Sequence, residues 1–219
     1  MTSERRQYDD GGELGRTPLD TDHSRLFIKQ KITAVVNKYW VHAVDESGEP
    51  GEVIAFAQEK VLTLRGEIHI YTDETRTTEL VSVYSRGINA FATTSDILDA
   101  DGQPIAKIRK DGTASLKSST WHLEGPGYAA TGTERNQAVA TLRRVTNFIP
   151  GINDFNEMIP WQVHFDFVTE DGTNLLSHER QAKLLDRYEM TLPPVVNGRP
   201  LDWRVAAAVG IALDALQSR

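Results

Sequence analysis

The chain has 219 residues, of which 39% are hydrophobic and 25% are charged, as is ordinary for a globular protein of one domain with or without a tail. Its formal net charge of −7 argues against a nucleic-acid partner, because such binding depends on neutralising phosphates. The sequence contains no cysteine, which excludes disulfides, thiolate nucleophiles, zinc–thiolate sites and palmitoylation and fits a cytoplasmic location.

The N-terminal residues differ in composition from the remainder. Residues 1–24 are polar, charged and glycine-bearing, with almost no side chain to bury and no secretory apolar stretch. We expect residues 1–24 to form a flexible tail and residues 25–219 to form the folded domain. No stretch reaches the roughly 18 apolar residues of a membrane-spanning helix, so we expect no transmembrane segment.

Short runs rich in β-branched and aromatic residues follow the tail and predict strands. These runs are 26–31, 39–44, 53–58, 67–72, 79–84, 90–98, 104–110 and 119–124. Residues 161–168 alternate most clearly, with Trp161, Val163, Phe165 and Phe167 on one face. A period of two is typical of a strand with one buried face.

The predicted turns share one chemistry. The segments Asp45–Pro50 and Asp99–Pro104 both contain an aspartate, a glycine three positions later and a proline, and Glu170–Asn174 is a looser copy. Asp-Gly and Ser-Gly pairs supply the positive φ that tight hairpins need. We therefore predict an antiparallel meander of strands rather than alternating strands and helices.

Two segments predict helices. Residues 133–145 have Thr133 as a potential N-cap and apolar residues at helical spacing. The second helix follows Asp202, which can cap it, and extends from Trp203 to about Gln217.

The second helix has no polar side chain from Val205 to Leu213. A helix that is apolar all round is buried on all sides, and at about 22 Å it is too short for a membrane and about as long as a β-barrel is tall. We therefore predict a mainly β fold, a closed barrel around this central helix; a helix packed on the edge of a sandwich is the alternative. Asp214 is expected to play a structural part at the barrel mouth or in a pair with an arginine such as Arg187. The residues predicted to build the central helix are Trp203, Val205, Val209, Ile211, Leu213 and Asp214.

The strand–turn–strand repetition, the Arg187–Met190 strand and the terminal helix with Asp214 resemble a known superfamily. It contains LURP-one-related, phospholipid scramblase-like and tubby C-terminal-like proteins, and the resemblance covers roughly residues 26–216. It implies a closed antiparallel barrel of about twelve strands around a C-terminal helix. It also implies binding of lipid.

Motifs for catalysis or metal binding are missing from the sequence. The Asp99 and Asp101 pair would need a glutamate at Lys110 to form an EF-hand loop. Ser177 and His178 are adjacent on a predicted strand and so point to opposite faces, which excludes a nucleophile–base pair. We expect no catalytic residue, no metal site, no cofactor and no enzymatic activity.

Two groups of residues are candidates for binding. Lys107 and Arg109 share a face of one predicted strand, which favours an anionic lipid headgroup or, alternatively, a merely solvated face. The full candidate anion-binding set is Lys107, Arg109, Lys110, Lys117, Arg143 and Arg144. The second candidate is an apolar interaction loop containing Phe148, Ile149, Phe155, Met158 and Ile159.

The sequence thus predicts a non-enzymatic binding module. Its expected ligand is anionic phospholipid or phosphoinositide, bound peripherally at a membrane surface. The alternative is a cytoplasmic scaffold that binds a protein partner and has no role with lipid.

Overall fold

A computed structural model of the chain describes residues 22–33, 35–60, 67–86, 94–111, 120–135, 164–181 and 187–217. Within these ranges the chain forms twelve strands and one helix. The strands are β1 Arg25–Ile32, β2 Val36–Val44, β3 Pro50–Lys60, β4 Glu67–Tyr71, β5 Glu79–Arg86, β6 Thr94–Asp99, β7 Pro104–Lys110, β8 Thr120–Gly125, β9 Tyr128–Glu134, β10 His164–Thr169, β11 Asn174–Gln181 and β12 Arg187–Thr191. The helix is α1, Trp203–Gln217.

The strands form one closed antiparallel barrel. Each strand pairs with its neighbours in sequence, and β1 closes the ring against β12, with Arg25 opposite Thr191 and Lys29 opposite Arg187. Closure pairs every described strand with two neighbours, although β3 and β4 pair only at Phe56 with Tyr71 and at Ala57 with Ile70. The predicted barrel is confirmed.

The three predicted turn copies have one geometry. Gly48, Gly102 and Gly172 all have φ between 75° and 87°. In the second copy the N–H of Gly102 donates to the Asp99 carbonyl, and Asp99 Oδ1 accepts from the N–H of Gln103. The aspartate therefore organises the hairpin itself, as the turn interpretation predicted.

The helix α1 lies in the interior of the barrel. It contacts β1 and β12 on one side and β5 and β7 on the other, and most of its side chains are buried. Gly210 permits the close approach, because a Cβ atom there would lie 2.8 Å from Ile28 Cδ1 and from Met190 Sδ. The predicted central helix is confirmed, with its predicted ends, and the sandwich alternative is wrong.

The predicted helix over 133–145 is wrong at its start. Thr133, the expected N-cap, and Glu134 lie in strand β9, and residues 136–145 are outside the described ranges. The strand forms because Gly132 faces inward beneath Phe167, where a Cβ atom would come within 2.5 Å of the ring. Strand β9 contains two alanines and a glycine, which have weak strand propensity, and its pairing with β8 and β10 holds it in the extended conformation.

The alternation in 161–168 is confirmed where the structure describes it. Phe165 and Phe167 are both fully buried and face the interior. Trp161 and Val163 lie outside the described residues.

Two residues of the predicted tail contact the folded domain. The Ser24 carbonyl accepts from the N–H of Leu192, and the ring of His23 meets Trp203 edge-on at 5.7 Å. Residues 1–21 lie outside the described ranges, so the flexible tail stays a prediction for them.

Candidate functional site

Asp214 accepts hydrogen bonds from three side chains inside the barrel. Gln30 Nε2 donates to its Oδ2 at 2.5 Å and the Tyr39 hydroxyl donates to the same oxygen at 2.8 Å, while the Tyr188 hydroxyl donates to Oδ1. The donors come from β1, β2 and β12, which meet where the ring closes. This carboxylate therefore joins the last turns of α1 to the closing strands.

The suggested pairing of Asp214 with Arg187 is wrong. Arg187 is exposed on the outer surface, and the next residue along the strand, Tyr188, points inward to the carboxylate. Burial raises the pKa of Tyr39, and the neighbouring Asp214 raises it further, so this hydroxyl remains a donor. The network joins α1 to the strands around it, and the structural part expected of Asp214 stays a prediction.

A histidine lies farther along the same interior surface. His178 is 3% exposed, its ring stacks on Tyr188 at 5.1 Å, and neither ring nitrogen has a hydrogen-bond partner among the described residues. Burial lowers its pKa to about 3, and the charge of Arg180 contributes. The neighbouring Ser177 faces outward and donates to Asp166 at 2.8 Å, so the two side chains do not meet.

The basic strand that the sequence singled out is β7. Lys107 and Arg109 do share its outer face, but Lys107 lies in register between Asp96 and Glu124. Lys110 points the other way, with Nζ 5.6 Å from the centre of the Trp121 ring. The structure thus does not join these three cations into one basic patch, and their role in anion binding stays a prediction.

The remaining predicted binding residues lie outside the described ranges. They are Lys117, Arg143, Arg144, Phe148, Ile149, Phe155, Met158 and Ile159.

A different surface combines exposed cations with exposed apolar side chains. Ile32 is 62% exposed and Val35 is 67% exposed at the turn between β1 and β2. Lys29 and Lys31 are exposed on the outer side of β1 beside this turn. We call this surface, Lys29, Lys31, Ile32, Val35 and Lys38, the β1–β2 face.

Strand register concentrates positive charge there. Lys31 lies opposite Lys38 on β2, and Lys29 lies opposite Arg187 on β12. Directly opposed residues of antiparallel strands project from the same face. Lys38 Nζ lies 3.9 Å from a carboxylate oxygen of Glu74, which offsets part of this charge.

A groove of about 510 Å³ crosses the outer surface beside the β1–β2 face, and we call it the outer groove. It is lined by Lys29, Gln30, Lys31, Trp40, His42 and Val53, and its exposed lining is almost entirely apolar. Its volume lies in the range that is usual for small-molecule sites.

The aromatic residues of the outer groove are held in place. Trp40 Nε1 donates to Glu74 Oε1 at 2.8 Å, and its ring packs against Phe56 at 5.7 Å. His42 Nδ1 donates to the Gly51 carbonyl at 3.0 Å. The groove is consequently a preformed feature of the outer sheet surface.

A second concavity of about 380 Å³ lies beside the β8–β9 and β10–β11 hairpins. Glu170 and Asp171 give it an acidic lining, with Tyr128 and Val195 on its other walls. Asp171 already accepts hydrogen bonds from Thr169 and Thr173 of its own hairpin. Its polar groups therefore organise the turn.

Sequence reasoning missed the β1–β2 face, although a signal for it was present. In the segment Leu26–Ile32 lysines occupy alternate positions, 29 and 31, as expected for the outer side of a strand. The apolar turn beyond them and the aromatic residues of β2 complete the pattern. The lysines of β1, the apolar turn and the aromatic residues of β2 come together on one surface because β1 pairs with β2.

The described part of the chain contains neither a membrane-spanning helix nor a cluster of metal-ligating side chains. No helix there is long and apolar enough to cross a bilayer. In the same ranges no three histidine, aspartate or glutamate side chains are grouped as a metal site would need.

The architecture is that of a closed antiparallel barrel with a largely apolar helix inside it, and a groove lies on its outer surface. A sequence model of the LURP-one-related family matches residues 53–214, and this chain belongs to that family. The suspected family is thereby confirmed, while the tubby-like and scramblase-like likenesses stay predictions.

No curated protein matches the sequence. Among solved structures, a porin-like protein from Bacteroides uniformis is similar over 77% of this chain and 96% of its own, at 10% identity and a TM-score of 0.22. So low a TM-score bears on neither the fold nor the function of this chain.

Proposed function

We propose that the chain is a non-enzymatic binding module that associates peripherally with anionic phospholipid surfaces through the β1–β2 face. One observation carries the proposal: two large apolar side chains, Ile32 and Val35, are exposed at a turn that lysines flank. Apolar side chains enter the headgroup region, and each nearby lysine adds about 1 kcal/mol of attraction to an anionic leaflet.

A binding role is favoured over catalysis by the disposition of the interior polar groups. Asp214 is engaged by Gln30, Tyr39 and Tyr188, and these groups hold the helix in place. The outer groove is apolar, and it lies beside cations rather than beside paired acids and bases. The cytoplasmic face of a membrane is the location we propose.

Vesicle co-sedimentation tests the proposal. We expect binding to vesicles that carry phosphatidylglycerol, cardiolipin or phosphoinositide, weaker binding at physiological than at low salt, and none to neutral vesicles. The combined change Lys29→Gln, Lys31→Gln and Lys38→Gln should reduce binding at least tenfold, on the order of three lost lysine contributions. Ile32→Ser with Val35→Ser should weaken it at every salt concentration.

A control is Lys107→Gln with Arg109→Gln, which removes two cations from the opposite side of the barrel ring and is compared with Lys29→Gln with Lys31→Gln. We expect this control to bind like the unchanged protein. If it loses binding while the β1–β2 variants keep it, the surface predicted from the sequence is the lipid site instead. If no vesicle is bound at any salt concentration, the lipid proposal fails and the protein-partner alternative is favoured.

A further inference from the structure

The outer groove combines two properties that a flat membrane-adsorbing surface does not need. It is concave, with a volume of about 510 Å³, and almost all of its exposed lining is apolar. Adsorption to headgroups would require only the exposed lysines and the apolar turn. The concavity therefore indicates that part of a ligand enters it.

The apolar lining fits a hydrocarbon chain. The ring of Trp40 and the side chain of Val53 line the groove, and Trp40 is held by its hydrogen bond to Glu74. Val53 is exposed in the free protein, so covering it removes apolar surface from water. A preformed apolar groove loses little conformational entropy when it is filled.

The cations lie at one side of this lining. Lys29 and Lys31 belong to the groove, and among the described residues neither forms an ion pair with a carboxylate. Arg187 lies opposite Lys29 in the register and adds a third charge. A ligand with one anionic group at the end of an apolar chain matches both halves of the groove.

We propose that the outer groove binds a single-chain anionic amphiphile, a hydrocarbon chain that ends in a phosphate or carboxylate. The chain lies against Trp40 and Val53, and the head group lies between Lys29 and Lys31. The inference deepens the proposed function because it concerns the same region, but it requires no bilayer.

Isothermal titration calorimetry with dodecyl phosphate, kept below its critical micelle concentration, tests the proposal on the full-length protein without vesicles. We expect saturable binding. Dodecyltrimethylammonium, which has the same chain and the opposite charge, should not bind, and inorganic phosphate, the head group alone, should bind at least about tenfold more weakly. Equal affinity for inorganic phosphate and dodecyl phosphate would overturn the proposal, since the groove would then contribute nothing.

Val53→Trp places a large ring in the groove and leaves every lysine intact. It should reduce the affinity for dodecyl phosphate at least about tenfold, whereas Val195→Trp, the same change at an exposed valine that does not line the groove, should not. A melting temperature close to that of the unchanged protein shows that each variant is folded. Undiminished binding by Val53→Trp would contradict the proposed location.

The same variants separate the two proposals. Val53→Trp should still sediment with anionic vesicles, because the lysines and the apolar turn remain. Ile32→Ser with Val35→Ser should bind vesicles more weakly and still titrate with dodecyl phosphate. Vesicle binding without amphiphile binding refutes only the groove, and amphiphile binding without vesicle binding refutes only the membrane surface.

Discussion

Asp214 is a charged residue near the C-terminal end of α1, and it accepts hydrogen bonds from two tyrosine hydroxyls and an amide. Hydrogen bonds to a charged acceptor are roughly twice as strong as those between neutral groups. Leaving one donor without its acceptor in a buried site costs the desolvation of that group. The network should therefore contribute measurably to folding.

Asp214→Asn tests this contribution. The amide keeps the shape but removes the charge and replaces one acceptor oxygen with a donor that faces a hydroxyl. We expect a loss of about 1–3 kcal/mol in the free energy of unfolding, measured by urea denaturation. Asp101→Asn, in an exposed turn, is the control and should be neutral. Unchanged stability of the Asp214 variant would show that the carboxylate is not held by the two tyrosines.

The buried side chain of His178 makes the stability of the folded protein depend on pH. Its pKa is about 3 in the folded protein because of burial, and about 6.5 in an unfolded chain. Between these values the unfolded state binds more protons, so stability falls as the pH decreases from 6.5 towards 3. The contribution of neutral His178 to the free energy of unfolding is fully present above the pKa of the unfolded chain. It decreases by at most about 1.4 kcal/mol for each unit by which the pH falls below that value.

His178→Leu should remove this part of the acid sensitivity. Between pH 7.5 and 5 the variant should lose about 2 kcal/mol less stability than the unchanged protein. Carboxylates such as Asp166, whose pKa the hydrogen bond from Arg135 lowers, also destabilise the protein in acid and are common to both proteins. Denaturation at each pH measures the difference, and parallel curves would contradict the assignment.

At the scale of single elements, strand β9 packs its Gly132 directly against Phe167 of the neighbouring strand β10. The Phe167 ring occupies the space over Gly132, and a Cβ atom there would lie 2.5 Å from the nearest ring carbon. The Phe167 side chain of β10 thus fills the space that a side chain at position 132 of β9 would otherwise occupy.

Gly132→Ala should destabilise the protein by about 1–3 kcal/mol, because Phe167 must leave its position. Thermal melting measures the loss, and adding Phe167→Leu should recover part of it. Ala129→Val, on the exposed side of the same strand, is the control and should have little effect. Strictly additive losses in the double variant would show that the two positions are not coupled.

The whole molecule depends on its central helix. The side chains of α1 fill the space that the inward-facing residues of the strands leave, and nearly all of them are buried. Without the helix, that apolar interior would be open to water.

A chain that ends at Pro200 should therefore fail to unfold cooperatively. We expect it to bind the dye ANS and to show no sharp thermal transition, as measured by fluorescence and circular dichroism. The control is a chain without residues 2–21, which should melt as the full chain does. A sharp transition in the truncated chain would mean that the barrel closes without the helix.

The local features of this protein could be predicted from sequence. Alternation placed Phe165 and Phe167 inside, the Asp-Gly pairs placed the hairpins, and the uninterrupted apolar run placed α1 with both of its ends. Each of these follows from the φ, ψ and burial preferences of neighbouring residues, which a linear pattern contains. The likeness to LURP-one-related proteins also depended on such patterns.

The long-range features were decided by the tertiary structure. Gln30 and Asp214 are 184 positions apart and meet because β1 closes the ring against β12. The same closure placed Arg187 on the outer surface beside Lys29, which made the expected pair with Asp214 impossible. Strand pairing sets which distant residues share a face, and a one-residue change of register would reverse every side chain. Local preferences do not specify that register, so the buried network and the outer groove became visible only in the folded barrel.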